Sequence, residues 1–303
     1  MKKFAVFDIG SNSVKLSIGE LQGGKPVLLF DASTVTSLAK GFNETKLLSE
    51  NSINQTVKAV KAFLDFAKKE GAEGFLAVGT MALRTAKNAP HFADKLKEAT
   101  TLDLKILTGE EEALYSAKAV LSSIEGLDKG RVTIFDTGGG STEVTTVADG
   151  NIVSSASLNI GAVTLTDGKF RDEKTPHAVV ARVVADLVSK FKERDITCDK
   201  LVGIGGNVTT QLCVATGLGK HDSAKIHGQT LKKRDVEQQI AFYADSTLEE
   251  RQKLLAVAPK RAGIILAGSC ITYAIMTATG QDELTVSDRS LRHALLFEKL
   301  LEN

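Results

Sequence analysis

A short motif occurs twice in the chain, and this repeat constrains the fold more than any other feature of the sequence. Segments 4–13 and 132–141 each place an apolar run ahead of an Asp-x-Gly turn, and their shared Phe, Asp, Gly and Ser positions are 128 residues apart. Each copy leads into a second strand, a glycine-bearing turn and a third strand. The duplicated meander predicts two similarly folded α/β domains in this chain of 303 residues.

Helices are predicted in the remainder of each half. They are expected over 53–67, 114–124, 180–191, 232–244, 248–257 and 261–278. A last helix is predicted from Ser287 to the C-terminus. A polar stretch with two glycines over 125–130 marks the join. We therefore predict domain I over 1–125 and domain II over 126–303, with the C-terminal helix a candidate to pack back on domain I.

Composition excludes several classes of protein. Hydrophobic residues make up 43% and charged residues 25%, which is typical of globular proteins and not of disordered, fibrous or membrane proteins. Lys and Arg number 38 against 37 Asp and Glu, so no global basic field predicts DNA, RNA or membrane as a partner. Three cysteines without metal-ligand spacing, and Asp8 interrupting the first apolar run, predict a cytoplasmic protein.

The two Asp-x-Gly turns are candidate phosphate loops. Glycine permits the close approach and backbone angles that let successive N–H groups surround an anion, and serine hydroxyls add donors. The loop residues are Gly10, Ser11, Asn12 and Ser13 in the first copy, and Gly138, Gly139, Gly140 and Ser141 in the second. Asp8 and Asp136 precede the loops and are candidates to hold Mg²⁺ or a metal-bound water. A single copy would fit an ordinary hairpin equally well; two copies in register favour phosphate handling between two domains.

Three further features each have a structural and a functional interpretation. Gly205 and Gly206 follow an apolar run and open a predicted helix, either as a plain strand-to-helix turn or as an anion site. Glu112 closes an acidic triplet over 110–112, which either complements a helix dipole or supplies a general base. Arg84 is either a surface residue or a partner for a transferred phosphate.

Taken together, these motifs resemble the exopolyphosphatase/guanosine pentaphosphate phosphohydrolase (Ppx/GppA) family. The segments that carry the resemblance are 8–13, 80–88, 109–113, 136–143 and 203–206. The resemblance extends from Phe4 to about Leu296 and corresponds to the short, two-domain form of the family. It implies duplicated α/β domains of the actin/hexokinase/Hsp70-type ATPase (ribonuclease H-like) fold that flank a cleft.

The resemblance also implies a reaction and roles for residues. The expected reaction is Mg²⁺-dependent release of the terminal phosphate from inorganic polyphosphate, or conversion of pppGpp to ppGpp. Glu112, Glu143 and Arg84 are the expected catalytic residues; Asp136, Glu143 and Asp8 are the expected metal ligands. The two loops, with Gly205 and Gly206, are expected to bind phosphate. For long polyphosphate we expect a basic track, with Lys15, Arg289, Arg292 and the cluster 232–234 as candidates, and the short form makes a homodimer one expected assembly.

The sequence departs from the family pattern mainly in its second half. The altered positions are Thr164, Asp167, Asn207, His293 and Ala294. They leave open the choice between polyphosphate and pppGpp. They also leave open a sensor that binds alarmone or polyphosphate without hydrolysis. A second alternative to a hydrolase is an ATP-dependent small-molecule kinase of the same fold.

Overall fold

The computed structural model describes residues 2–170 and 174–302, which form two compact units. The first unit comprises Met1–Ala119 and Ser290–Asn303, and the second comprises Val120–Arg289. The last helix of the chain thus belongs to the first unit. Within the described residues, no helix combines the length and the apolar character needed to cross a membrane.

The first unit is built on a five-stranded sheet. Its elements are β1 (Lys3–Ile9), β2 (Ser13–Gln22), β3 (Lys25–Val35), α1 (Phe42–Thr45), α2 (Glu50–Lys69), β4 (Ala72–Gly79), α3 (Met81–Thr85), α4 (Ala89–Thr100), β5 (Leu104–Ile106), α5 (Gly109–Leu121), which ends in the second unit, and α13 (Leu291–Glu302). The strand order is β3-β2-β1-β4-β5. β1, β2 and β3 form the antiparallel meander, whereas β4 pairs parallel with β1, and β5 with β4.

The second unit repeats this arrangement and adds one strand. Its elements are β6 (Arg131–Thr137), β7 (Thr142–Ala148), β8 (Asn151–Leu158), α6 (Ala162–Lys169), α7 (His177–Lys192), β9 (Lys200–Ile204), α8 (Gly205–Thr216), α9 (Ser223–Ile226), β10 (Gln229–Lys232), α10 (Lys233–Asp245), α11 (Leu248–Leu254), a 3₁₀ turn (Pro259–Arg261), α12 (Ile265–Thr279) and β11 (Glu283–Ser287). The order β10-β11-β9-β6-β7-β8 contains the first sheet's pattern, with β10 added antiparallel to β11.

Each unit has its own hydrophobic core, and one helix in each illustrates why it forms. In α2, the Ser49 side chain accepts a hydrogen bond from the Ser52 N–H and caps the helix. Its buried residues Ile53, Val60 and Leu64 then form the apolar stripe that packs under the first sheet. By contrast, α12 is buried almost all round between Ile265 and Met276, because it packs against α7 and α10.

Only helices were expected in the remainder of each half, and this prediction is wrong because several strands also lie there. β4, β5 and β11 were not predicted, because strands in the parallel part of a sheet lack the alternation of polar and apolar residues that identifies exposed strands. β10, a strand of four residues that pairs antiparallel with β11, was also not predicted. Ser287 is the end of β11 and not the start of the last helix, which begins at Leu291. The helix predicted from Arg261 begins at Ile265, after the 3₁₀ turn.

Candidate functional site

The two predicted phosphate loops are closed by the same backbone hydrogen bond. The Gly10 N–H donates to the Ser13 carbonyl at 3.0 Å, and the Gly138 N–H donates to the Ser141 carbonyl at 2.9 Å. Each bond closes a tight hairpin with two residues at its tip. The loops connect β1 to β2 and β6 to β7, so the aspartate-bearing strand enters each hairpin in the same way.

In the second loop, the start of α6 determines which way the backbone N–H groups point. The Ala162 N–H donates to the Gly138 carbonyl at 3.0 Å, and the Val163 N–H donates to the Gly139 carbonyl at 2.7 Å. In a planar trans peptide, each carbonyl points opposite to the N–H of the next residue. The N–H groups of Gly139 and Gly140 are therefore directed away from α6, and neither donates a hydrogen bond to any described residue. Two adjacent free N–H groups form a site suited to a phosphate oxygen.

Gly161 makes this close approach possible, although we did not single it out from the sequence. A Cβ atom at this position would lie 2.4 Å from the Gly139 carbonyl oxygen. Thr164, one of the positions that depart from the family pattern, caps the same turn because its hydroxyl accepts from the Gly161 N–H at 3.0 Å.

The first loop is fixed by a different segment. The Asn12 carbonyl accepts from the N–H groups of Thr36 at 3.0 Å and Ser37 at 2.9 Å, and the Ser11 carbonyl accepts from Ala39 at 2.8 Å. These donors follow β3, just as Ala162 and Val163 follow β8. Both loops are thus held on their carbonyl side by the chain that leaves the third strand of the meander.

The aspartates that precede the two loops face cross-strand residues of opposite charge. Asp8 lies directly across from Lys15 in the β1–β2 pair, and Lys15 Nζ is 2.9 Å from Asp8 Oδ2. Asp136 lies directly across from Glu143 in the β6–β7 pair. Both acidic residues are buried, and Glu143 Oε1 accepts from the Ser157 hydroxyl at 2.7 Å. The first carboxylate is therefore neutralised by an ion pair, whereas the second faces another carboxylate.

The third glycine loop lies against Asp136. Because β9 pairs parallel with β6, with Ile204 opposite Asp136, the start of α8 is adjacent to the second phosphate loop. Gly205 has a φ of +86°, and a Cβ there would lie 2.5 Å from Asp136 Oδ1. Both the left-handed angle and the close contact require glycine. The predicted loop therefore lies beside the second copy of the motif.

Arg261 is a functional candidate that sequence reasoning missed. Its guanidinium lies against Gly206, where a Cβ atom would be 2.0 Å from Nη2. The guanidinium makes no hydrogen bond or ion pair to the residues that the structure describes. Burial lowers the pKa of Arg261, and the nearby Asp136 carboxylate opposes that shift. No motif identifies this arginine, since only the fold brings the turn before α12 to the third loop.

In the first unit, the structure brings Arg84 and Glu112 together. Arg84 Nη1 donates to Glu112 Oε2 at 3.1 Å and to the Leu107 carbonyl at 2.9 Å. Glu112 is buried at 7% exposure. Thr80 connects this pair to the first loop, because its N–H donates to the Ile9 carbonyl and its own carbonyl accepts from the Arg84 N–H. Because Arg84 is also anchored to the Leu107 carbonyl, its bond to Glu112 fixes the direction of that carboxylate.

The neighbouring Glu111 has a different role from Glu112. Its carboxylate accepts from the Thr108 N–H at 2.9 Å, and its own N–H donates to the Thr108 hydroxyl at 3.1 Å. These two bonds form a cap at the start of α5. The hydrogen bond from Thr108 lowers the pKa of Glu111. Within the acidic triplet, the capping interpretation therefore applies to Glu111.

Other candidates lie outside this arrangement. Arg292 does not contribute to an exposed basic track, because it is buried and donates to Asp31 from Nε at 2.9 Å. His293 is also buried, and its Nδ1 accepts from the Ser290 N–H at 3.0 Å. The cluster 232–234 lies beside acidic side chains that include Asp282. Among the described residues, no group of three or more His, Cys, Asp or Glu side chains is placed to hold a metal ion by itself.

Comparison with known proteins identifies relatives over nearly the whole chain. Bifunctional 3-dehydroquinate synthase/phosphatase from Fusobacterium nucleatum is 29% identical over 94% of this chain, which spans 44% of that protein. Exopolyphosphatase 1 from Mycobacterium bovis is 26% identical over 98% of this chain and 88% of its own length. Guanosine-5'-triphosphate,3'-diphosphate pyrophosphatase from Vibrio atlanticus is 27% identical over 99% of this chain and 59% of its own length. The chain therefore spans less than two thirds of two of these three relatives.

A solved structure matches the fold over the same extent. The crystal structure of the Aquifex aeolicus member of the Ppx/GppA protein family has a TM-score of 0.83 and is 31% identical, covering 99% of this chain and 98% of its own. The predicted fold class, duplicated α/β domains of the actin/hexokinase/Hsp70 type, is confirmed by this likeness and by the matching strand orders. A family model described as the Ppx/GppA phosphatase family matches residues 17–303. The predicted resemblance is thereby confirmed, and the chain belongs to the Ppx/GppA phosphatase family.

Proposed function

We propose that this protein is a Mg²⁺-dependent phosphohydrolase that releases the terminal phosphate from inorganic polyphosphate or from pppGpp. The observation that carries the proposal is the arrangement in the second unit. There, two free loop N–H groups, a pair of facing carboxylates and Arg261 lie around adjacent loops. The names of the relatives support both substrates, since one is an exopolyphosphatase and another acts on guanosine 5'-triphosphate 3'-diphosphate.

Asp136 and Glu143 are the residues that would hold the metal ion. Two buried carboxylates that face each other across a strand pair repel each other, and a cation bound beside them would relieve that repulsion. Mg²⁺ is commonly bound by one or two carboxylates together with substrate phosphates and water, so the donor set fits without a third acidic residue. When bound, Mg²⁺ would neutralise charge that develops on the phosphate oxygens.

The chain's own residues supply the rest of the chemistry. The N–H groups of Gly139 and Gly140 and the Arg261 guanidinium bind phosphate oxygens and stabilise their negative charge. Glu112, held by Arg84, accepts a proton from the attacking water. The water oxygen bonds to the terminal phosphorus, the bond from that phosphorus to the bridging oxygen breaks, and the bridging oxygen leaves with the shortened chain.

The first test is phosphate release from tripolyphosphate, long-chain polyphosphate and pppGpp, with and without Mg²⁺. Glu112→Gln keeps the size of the side chain but cannot accept the proton, so release should fall by about a hundredfold or more. Glu111→Gln is the matched control, because Glu111 caps α5 and pairs with Lys105 and not with Arg84, so its change should leave turnover near that of the wild type.

The relative rates on the three substrates would identify the preferred one. A folded wild-type protein that releases no phosphate from any of them would contradict the proposal. Tight binding without release would then favour the sensor, and ADP formation that requires an added acceptor would favour the kinase.

A further inference from the structure

The peptide that enters the second phosphate loop is held at both ends. This peptide joins Thr137 to Gly138, and its N–H, which belongs to Gly138, donates to the Ser141 carbonyl at 2.9 Å. Its carbonyl, which belongs to Thr137, accepts from Asn207 Nδ2 at 3.0 Å. Because the peptide is planar, a bond at each end fixes the rotation of the whole unit. The direction of the loop therefore depends on Asn207 as well as on the hairpin itself.

The side chain of Asn207 supplies a hydrogen-bond donor at a point where the neighbouring strand has ended. The β6–β9 ladder ends where Asp136 faces Ile204, since the chain turns into α8 at Gly205. Beyond that point, β9 offers no backbone N–H to the next carbonyl of β6. The amide of Asn207, one position past the two glycines, reaches back and supplies that donor.

The first copy of the motif satisfies the equivalent carbonyl in another way. Ile9 occupies the place of Thr137, and its carbonyl accepts from the backbone N–H of Thr80 at 3.3 Å. There the chain after β4 continues far enough for its main chain to serve as the donor. Both copies thus hold the carbonyl at the loop entrance, and the second does so with a side chain.

The Oδ1 atom of Asn207 indicates that this residue is not present mainly to stabilise the fold. It is 2% exposed, and its Oδ1 has no hydrogen-bond partner among the described residues. A buried carbonyl oxygen without a donor destabilises the folded state. The hydrogen bond to Thr137 therefore stabilises the folded state, whereas the unpaired oxygen destabilises it. Only the hydrogen bond constrains the loop.

We propose that Asn207 is a positioning residue, which fixes the Thr137–Gly138 peptide and thereby keeps the free N–H groups of Gly139 and Gly140 aimed at substrate phosphate. This inference rests on the proposed function for its effect on turnover. Its structural part, the constraint on the loop, is testable whether or not the protein hydrolyses phosphate.

The experiment compares Asn207→Leu with Gln211→Met. Each replaces a buried amide of α8 by an apolar side chain of similar shape, but Gln211 donates to the Thr272 hydroxyl and does not contact the loop. Hydrogen exchange at the Gly138 N–H should accelerate about tenfold or more in Asn207→Leu and stay unchanged in Gln211→Met. The kcat/KM for tripolyphosphate should fall by about tenfold in Asn207→Leu and stay near the wild-type value in Gln211→Met. The two variants should have similar melting temperatures.

A second variant covers the case in which Asn207→Leu does not fold. Asn207→Asp has the same shape, but its carboxylate cannot donate to the Thr137 carbonyl, whereas the protonated acid can. Its activity relative to the wild type, and its Gly138 protection, should both recover as the pH is lowered.

The outcomes separate the inference from the proposed function. Wild-type protein without hydrolysis would overturn the proposed function, while the exchange data would still decide the role of Asn207. Unchanged Gly138 exchange in Asn207→Leu, an equal loss in Gln211→Met, or an Asn207→Asp variant without pH-dependent recovery would overturn the inference.

Discussion

The two copies of the Asp-x-Gly loop share a backbone design but differ in charge at one equivalent position. Lys15 and Glu143 are 128 residues apart, the same offset that relates the loops, and each lies directly across from the aspartate of its own copy. The first copy is an internal ion pair at 2.9 Å, whereas the second is a pair of buried carboxylates. The hairpin is common to both copies, and the charge difference is the reason that we propose the cation site in the second unit.

The largest expected effect comes from removing the aspartate in each copy. Asp136→Asn takes one of two ligands from the proposed Mg²⁺ site, so phosphate release should fall by about a hundredfold or more. Asp8→Asn removes only the partner of Lys15, and the loss should stay below about tenfold, since the Lys15 side chain is 21% exposed and water can solvate its ammonium group. The measurement is phosphate release from tripolyphosphate at saturating Mg²⁺. Equal losses in the two variants would contradict the distinction between the copies.

A smaller effect is expected where α6 meets the second loop. Gly161→Ala would place a Cβ 2.4 Å from the Gly139 carbonyl oxygen, so the loop or the helix must shift, at a cost of about 1–3 kcal/mol. Activity should fall about tenfold, because the Gly139 and Gly140 N–H groups would change direction. Gly168→Ala is the matched control: Gly168 lies in α6, the helix that begins after Gly161, and an added Cβ there meets nothing within 4 Å. That variant should be slightly more stable and fully active, as measured by thermal unfolding and phosphate release.

The smallest expected effect on turnover concerns the ion pair that holds α13 on the first sheet. Asp31 pairs with the buried Arg292, which holds the pKa of its carboxyl well below the usual range although burial opposes the shift. Asp31→Asn should destabilise the attachment of α13 by about 3 kcal/mol, because it removes the carboxylate that balances the charge of a buried arginine. Hydrogen exchange of the α13 N–H groups at pH 7 measures this loss.

The same pair predicts a pH dependence with a definite sign. A carboxyl with a lowered folded-state pKa contributes its full stability above its unfolded pKa of about 3.9 and loses that contribution as the pH falls further. The difference in α13 protection between wild type and Asp31→Asn should therefore be constant from pH 7 to about 5 and shrink below about pH 4. Glu249→Gln, in an exposed pair with Lys253, should show almost no difference at any pH. A constant difference down to pH 2 would contradict this account.

The loops were predictable from sequence because their chemistry lies within a few adjacent residues. Gly10 and Gly138 follow an aspartate and precede a serine, and this local pattern suffices to predict a tight turn after a buried strand. The contrast between Lys15 and Glu143 was also within reach: a two-residue hairpin tip fixes which side chains face each other across the strands.

The remaining features depend on contacts that no local pattern records. Arg261 meets Gly206, and Asn207 meets Thr137, only after a parallel sheet brings distant segments together. Strands β4 and β11 were not predicted for a related reason, since strands in the parallel part of a sheet lack the alternation of polar and apolar residues that marks exposed strands. The sequence therefore identifies the residue types that could take part in a site, whereas their partners in space depend on tertiary packing.

The most direct test of the contrast between the two copies is a Mg²⁺ titration of phosphate release by wild type, Glu143→Lys and Lys15→Gln. Glu143→Lys gives the second copy the ion pair of the first, and should abolish Mg²⁺-dependent release from tripolyphosphate at every concentration. Lys15→Gln should keep the wild-type Mg²⁺ midpoint. Retention of the wild-type midpoint by Glu143→Lys would contradict the assignment of the cation to the second copy.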